Sequence, residues 1–139
     1  MRSRTFQVGV ASLALASLAG CSTSSGSSGG LLSSRPAAST PYIAALQGGM
    51  VGRSGVTVSS SDRSRALEAE YRALEAAAVG QPIQWTGRGV SGQVTAAAPY
   101  QVGSQNCRQY KHTINADGRD VIARGTACRN KDGTWTPLI

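Results

Sequence analysis

Cys107-Arg108-Gln109-Tyr110-Lys111-His112-Thr113-Ile114 and Val121-Ile122-Ala123-Arg124-Gly125-Thr126-Ala127-Cys128, joined by Asn115-Ala116-Asp117-Gly118-Arg119-Asp120, read as one β-hairpin. Asp117-Gly118 is the turn signal: it suits the mirror-image turn whose twist matches that of the flanking strands. Symmetric pairing about the loop sets Ile114 opposite Val121, Tyr110 opposite Gly125 and Cys107 opposite Cys128. Side chains alternate across a strand, so Tyr110, Ile114, Val121, Ala123 and Ala127, with Arg108 and His112 among them, share one face, the predicted core face. Tyr110 over Gly125 would cover a strand glycine with an aromatic ring. The other face carries Cys107 and Cys128 with Gln109, Lys111, Arg124 and Thr126. There Lys111 opposite Arg124 is a like-charge pair, unfavourable by a few tenths to about 1 kcal/mol. Either a bulge shifts this register or the basic face receives an anion.

Beyond the hairpin, Lys131-Asp132-Gly133 is a turn leading to Trp135 and Leu138. Before it, Ile83 to Thr86 and Val90 to Val94 alternate around Gly87-Arg88-Gly89 as a shorter hairpin. Thr95 to Gly103 is less regular: Pro99 breaks the alternation, and Tyr100 and Val102 begin a further strand.

The period changes upstream of Pro82. Leu67, Tyr71, Leu74 and Ala78 recur at helical spacing, Ser61 and Asp62 suit the N-cap, and Gly80 with Pro82 stops the run. Glu68 to Arg72 and Arg72 to Glu75 add charge pairs along the helix. The expectation is a helix over 62–79 and an α+β domain over 61–139, with one amphipathic helix packed on a small antiparallel sheet. At this size a single core rarely leaves more than about 3–5 kcal/mol of net stability.

The N-terminus carries a different message. Arg2 and Arg4 precede an apolar run from Phe6, which ends in Leu18-Ala19-Gly20-Cys21. Positive, apolar and small-residue regions in that order make a secretory signal. The apolar run, about 13 residues, is short of the roughly 20 that span a bilayer. An aliphatic residue, two small residues and Cys resemble a bacterial lipoprotein signal, which implies cleavage between Gly20 and Cys21 and a thioether-linked diacylglycerol on Cys21, a palmitate-type anchor. Ser22, where inner-membrane lipoproteins usually carry Asp, implies the outer membrane. Residues 1–20 are thus expected to be a signal peptide.

With Cys21 assigned to lipid, two of the three cysteines remain, Cys107 and Cys128. In an oxidising envelope this pair predicts a disulfide, which over a loop of about 20 residues contributes roughly 3 kcal/mol. Residues 21–40, rich in Ser, Gly, Ala and Pro, cannot bury enough apolar surface to fold and read as a disordered tether. Roughly 20 such residues reach about 25 Å. Residues 41–60 read as a weakly apolar, mobile segment, in which Gly48 and Gly52 have the small-xxx-small spacing of membrane helix contacts.

The chain has 14 basic and 7 acidic residues, net +7. Nucleic acid is not the expected partner of a protein that leaves the cytoplasm and shows no basic cluster interleaved with aromatics. Membrane, through Cys21, is. Arg108, Lys111, Arg124 and Arg129 are the candidate anion-binding residues, suited to lipopolysaccharide, an acidic glycan or an envelope protein. Catalysis has a poor inventory: a single histidine, His112; Glu68, Glu70 and Glu75 on one helix; and no Gly-x-Ser-x-Gly elbow. No Cys-x-x-Cys spacing exists and ligands for zinc or haem are too few, so no metal or cofactor is expected.

Arg72-Ala73-Leu74-Glu75, Gln84-Trp85, Gly92-Gln93-Val94-Thr95, Tyr100, Cys107-Arg108-Gln109-Tyr110, Gly125-Thr126-Ala127-Cys128-Arg129 and Asp132-Gly133-Thr134-Trp135 together resemble the rickettsial seventeen-kilodalton surface antigen family of outer-membrane lipoproteins. The resemblance implies a lipid-anchored surface protein of the outer membrane with no enzymatic activity to carry over. Its long glycine-zipper region is represented here only by Gly48 to Gly55. The expected function is structural or surface-interaction; the alternative is a module that inhibits an envelope enzyme or captures an anionic glycan or lipid.

Overall fold

A computed structural model describes residues 40–139. The signal, Cys21 and the expected tether up to residue 39 lie outside the described residues. Among the described residues three helices, α1 (Thr40–Ala45), α2 (Gly49–Arg53) and α3 (Ser60–Glu75), precede six strands. These are β1 (Ile83–Thr86), β2 (Val90–Ala96), β3 (Tyr100–Val102), β4 (Gln105–Ala116), β5 (Arg119–Arg129) and β6 (Trp135–Leu138). All pair antiparallel in the order β1-β2-β4-β5-β6, with β3 beside the start of β4. The fold is α+β with a small antiparallel sheet and a Cys107–Cys128 disulfide.

The long hairpin has the register read from its turn. Asp117 and Gly118 both take positive φ, 51° and 73°, which a two-residue type I′ turn requires. Ile114 pairs with Val121, Tyr110 with Gly125, Lys111 with Arg124 and Cys107 with Cys128, without a bulge. Arg108, Tyr110, His112 and Ile114 are buried on one face, while Gln109 is exposed on the other. What lies against Gly125 is Met50: a Cβ there would come within 2.7 Å of Met50 Sδ, so α2 rests where that atom would be.

The helix boundaries differ from the sequence expectation at both ends. Ser59, not Ser61 or Asp62, is the N-cap: its hydroxyl accepts the Asp62 N–H and donates to the Asp62 carboxylate, closing the first turn reciprocally. The helix stops at Glu75 rather than Val79, leaving Ala78 exposed beyond it. Ala66, Leu67, Ala69, Ala73 and Leu74 join Trp85, Val94, Ala96, Tyr110 and Ile114 in one core cluster.

The segment 41–60, read from sequence as mobile and outside the domain, is corrected by its burial. Leu46, Met50 and Val51 are buried in the same core cluster. Gln47, Gly48 and Gly49 all have positive φ, turning the chain sharply between two helices of 6 and 5 residues. Neither helix is long enough to display a helical period, which is why the sequence pattern is silent here. Among the described residues no helix is long and apolar enough to cross a membrane.

Candidate interaction surface and the buried polar relay

Glu70 lies between Leu67 and Leu74 on the apolar face of α3 and is fully buried. Its carboxylate accepts the backbone N–H of Met50 on Oε2 and that of Val51 on Oε1, both at 2.9 Å. These are amides of the first turn of α2, which has no partner of its own for them. Gly49 makes the approach possible: its φ is +56°, and a Cβ would run into Glu70 Oε2.

The same carboxylate reaches the sheet. His112 Nδ1 lies 2.8 Å from Glu70 Oε1, and Trp85 Nε1–H donates to His112 Nε2, also at 2.8 Å. Since indole can only donate, Nε2 must accept, and the ring proton sits on Nδ1, directed at the carboxylate. Tyr110 contributes a buried hydroxyl without a hydrogen-bond partner among the described residues. Burial, then the neighbouring Glu70 charge, raises its pKa far above the ordinary value. The His112–Glu70 pair has the composition of a general-base dyad, but both side chains are sealed from solvent and hold α2, α3 and β4 together.

The four candidate anion-binding residues do not form one surface. Arg108 falls on the core face by strand parity, and its guanidinium donates to the carbonyls of Ala73, Leu74 and Ala77 at 2.9–3.2 Å and of Ala97 at 2.8 Å. It satisfies the orphan carbonyls at the C-terminus of α3, the negative end of the helix dipole. Arg129 forms a two-bond pair with Glu75, whose Oε2 also accepts Trp135 Nε1–H at 2.8 Å. Arg129, opposed by burial and aided by Trp135, holds the Glu75 carboxyl below its ordinary 4.5. Arg108 is thus enclosed as a helix cap, whereas Arg129 keeps a side chain 40% exposed beside its partner Glu75.

Lys111 and Arg124 remain, side by side on the outer face in a row with Thr95. They line a shallow groove of about 550 Å³ with Gln109, Thr126 and the end of β2, and among the described residues no acidic side chain borders it. Farther along β5, Ile122 is 48% exposed on the same face, and Asp120 accepts from Asn115 Nδ2 at 2.7 Å. The cystine belongs to this face by parity but is buried, with Tyr100 of β3 as the other neighbour of Cys107. No group of three or more metal-ligating side chains occurs among the described residues.

Two features of the domain were beyond the sequence reading: Glu70 as the hub of the relay, and the burial of Leu46, Met50 and Val51. The signal for the first was present, since Glu70 sits three residues after Leu67 and four before Leu74, a charge inside an apolar stripe.

Residues 72–136 match the family described as 17 kDa outer membrane surface antigen, a span that holds Glu75, Trp85, the whole long hairpin and Trp135. The 17 kDa surface antigen of Rickettsia bellii is 37% identical over 119 residues, covering 79% of this chain and 75% of that protein. The chain belongs to the 17 kDa surface antigen family. The surface antigens of Rickettsia felis and Rickettsia prowazekii are 38% and 39% identical over 77 and 67 residues, covering 53% and 46% of this chain and 48% and 42% of theirs. No solved structure matches. The family description names an outer-membrane surface location, and its curated members are named as antigens rather than by a reaction.

Proposed function

We propose that this protein is a lipid-anchored outer-membrane lipoprotein with a structural or surface-interaction role and no catalytic one. Cys21, released as the N-terminus by cleavage after Gly20, holds acyl chains in the membrane, and the segment up to residue 40 spaces the domain from it. One observation carries the non-catalytic reading: Glu70, Glu75, Arg108, His112 and Arg129 are all engaged by other groups of the same domain. Family membership supports the location. Intact mass and peptide mapping of the protein extracted from its native membrane tests the anchor. A diacylglyceryl Cys21 at the N-terminus is expected, and an uncleaved or unmodified N-terminus would sink it.

A second reading is favoured by the Lys111–Arg124 row: the outer groove captures an anionic glycan or lipid, or seats an envelope enzyme that the domain inhibits. Charge reversal at both positions would then abolish binding to isolated envelope fractions while leaving anchoring intact. Unchanged binding in that double variant rules the groove out.

A further inference from the structure

β5 is longer than the strand that covers it. β4 runs beside Arg119 to Cys128, but β6 pairs only with Thr126 to Arg129, so among the described residues 119–125 has a strand on one side only. The direction of its backbone groups follows from one bond. Ala97 N–H donates to Gln109 O at 2.8 Å, so the Gln109 backbone faces away from β5. Orientation alternates along an antiparallel strand. Tyr110, His112 and Ile114 therefore exchange bonds with Gly125, Ala123 and Val121, while Asp120, Ile122 and Arg124 direct N–H and C=O to the open edge. All three of these residues are exposed.

We propose that this edge pairs with the same edge of a second copy of the chain, antiparallel about Ile122. Ile122 then faces Ile122 of the second copy, and Arg124 faces the second copy's Asp120, twice by symmetry. Every pair between outward-directed residues is of the doubly hydrogen-bonded kind, so backbone and side chains favour the same register. The pairing also supplies what the outer face lacks. Lys111 and Arg124 stand side by side without a carboxylate, and the second copy's Asp120 would extend their row with the missing negative charge. Register is selective: sliding by four residues one way sets Arg124 against Arg124, and an odd shift breaks the match of donors and acceptors. Charges on an edge strand ordinarily keep sheets apart. Here Asp120 and Arg124 sit equidistant from Ile122, so a two-fold axis turns the same charges into complements. The contact is self-complementary and closes at a dimer. It goes beyond the anchoring reading and does not depend on it.

Sedimentation equilibrium of the full chain in detergent, with Asp120→Arg and Arg124→Asp variants, tests the proposal. Each single reversal makes both cross-copy pairs repulsive and should weaken association roughly tenfold or more. An equal mixture of the two variants should recover it, because each mixed pair joins opposite charges; association through the apolar N-terminal run could not produce that pattern. Ile122→Cys, a change at an exposed site, should give a reducible dimer whose linked peptide contains two copies of position 122. Circular dichroism and the intact Cys107–Cys128 bridge verify folding of each variant. A wild-type chain that stays monomeric, reversal variants that associate like the wild type, or a mixture no tighter than its components would overturn the proposal.

Discussion

The imidazole of His112 and the carboxylate of Glu70 meet at 2.8 Å with both side chains fully enclosed, joining the central strand to the helix that precedes the sheet. Because the same carboxylate also holds two amides of α2, one side chain ties three elements. Replacing Glu70 by Gln turns an amide NH₂ toward donors. The expected loss is about 2–4 kcal/mol of unfolding free energy. Chemical denaturation with the disulfide intact measures it, and faster hydrogen exchange at Met50 and Val51 should accompany it. A loss within about 0.5 kcal/mol, the range of an ordinary surface change, would contradict the relay.

Arg108 ends α3 from a distance of more than thirty positions in sequence. Arg108→Met keeps much of the stem volume but abandons the carbonyls of Ala73, Leu74 and Ala77. It should cost about 2–4 kcal/mol, since bonds to a charged donor are worth about 1.5–3 kcal/mol and buried acceptors are left unpaired. Arg108→Lys should recover only part, because a point charge cannot match a planar fork. Equal stability of all three chains would remove the capping role.

Acid should weaken the Glu75 clasp. Hydrogen bonds from Arg129, with Trp135 in support, lower the Glu75 pKa in the folded state below its ordinary 4.5. A depressed folded pKa means stability that is fully present above 4.5 and lost as pH falls through the lower folded value. Denaturation of wild type and Glu75→Gln from neutral pH downward should show a gap between the chains that narrows only below pH 4.5. A gap of constant size across that range would show that the charge of Glu75 does not contribute.

The bridge between Cys107 and Cys128, 21 residues apart, constrains the unfolded chain. Substituting both cysteines by Ser should lower stability by about 3 kcal/mol on the loop-entropy account. Against a domain stability of about 5–15 kcal/mol this is a large share. Thermal unfolding of oxidised and Ser-substituted chains compares them, and matching midpoints would refute it.

Gly49 and Gly125 make a contrast. Gly49→Ala must hold a positive φ and push into the Glu70 carboxylate, for an expected cost of about 2–3 kcal/mol. Gly125→Ala meets only the end of Met50, whose flexible thioether can swing aside, so about 1 kcal/mol is expected. The reverse order would show that α2 is not seated on Glu70 as described.

The hairpin of β4 and β5 was legible in sequence down to its register, because a two-residue turn and strict alternation leave one pairing that buries the apolar face. The same pairing makes Cys107 and Cys128 neighbours on the pattern of the chain alone. The candidate site was legible only in part. Lys111 and Arg124 stand together as their strand positions require, whereas Arg108 turns inward, because a charge in a strand does not reveal whether solvent or a helix end awaits it.

What the chain's own pattern determined, then, is local: turns, strand alternation, the body of α3 and the cysteine pairing, all set by interactions between residues near in sequence or mirrored about one turn. Tertiary structure alone decided that Leu46, Met50 and Val51 enter the core, that Glu70 is a cap for another helix, and that α3 stops at Glu75 under the Arg108 guanidinium. Those outcomes depend on buried donors and acceptors finding partners far away in sequence, since leaving the Glu70 carboxylate and the Arg108 guanidinium buried and unpaired would cost more than a domain of marginal stability can bear.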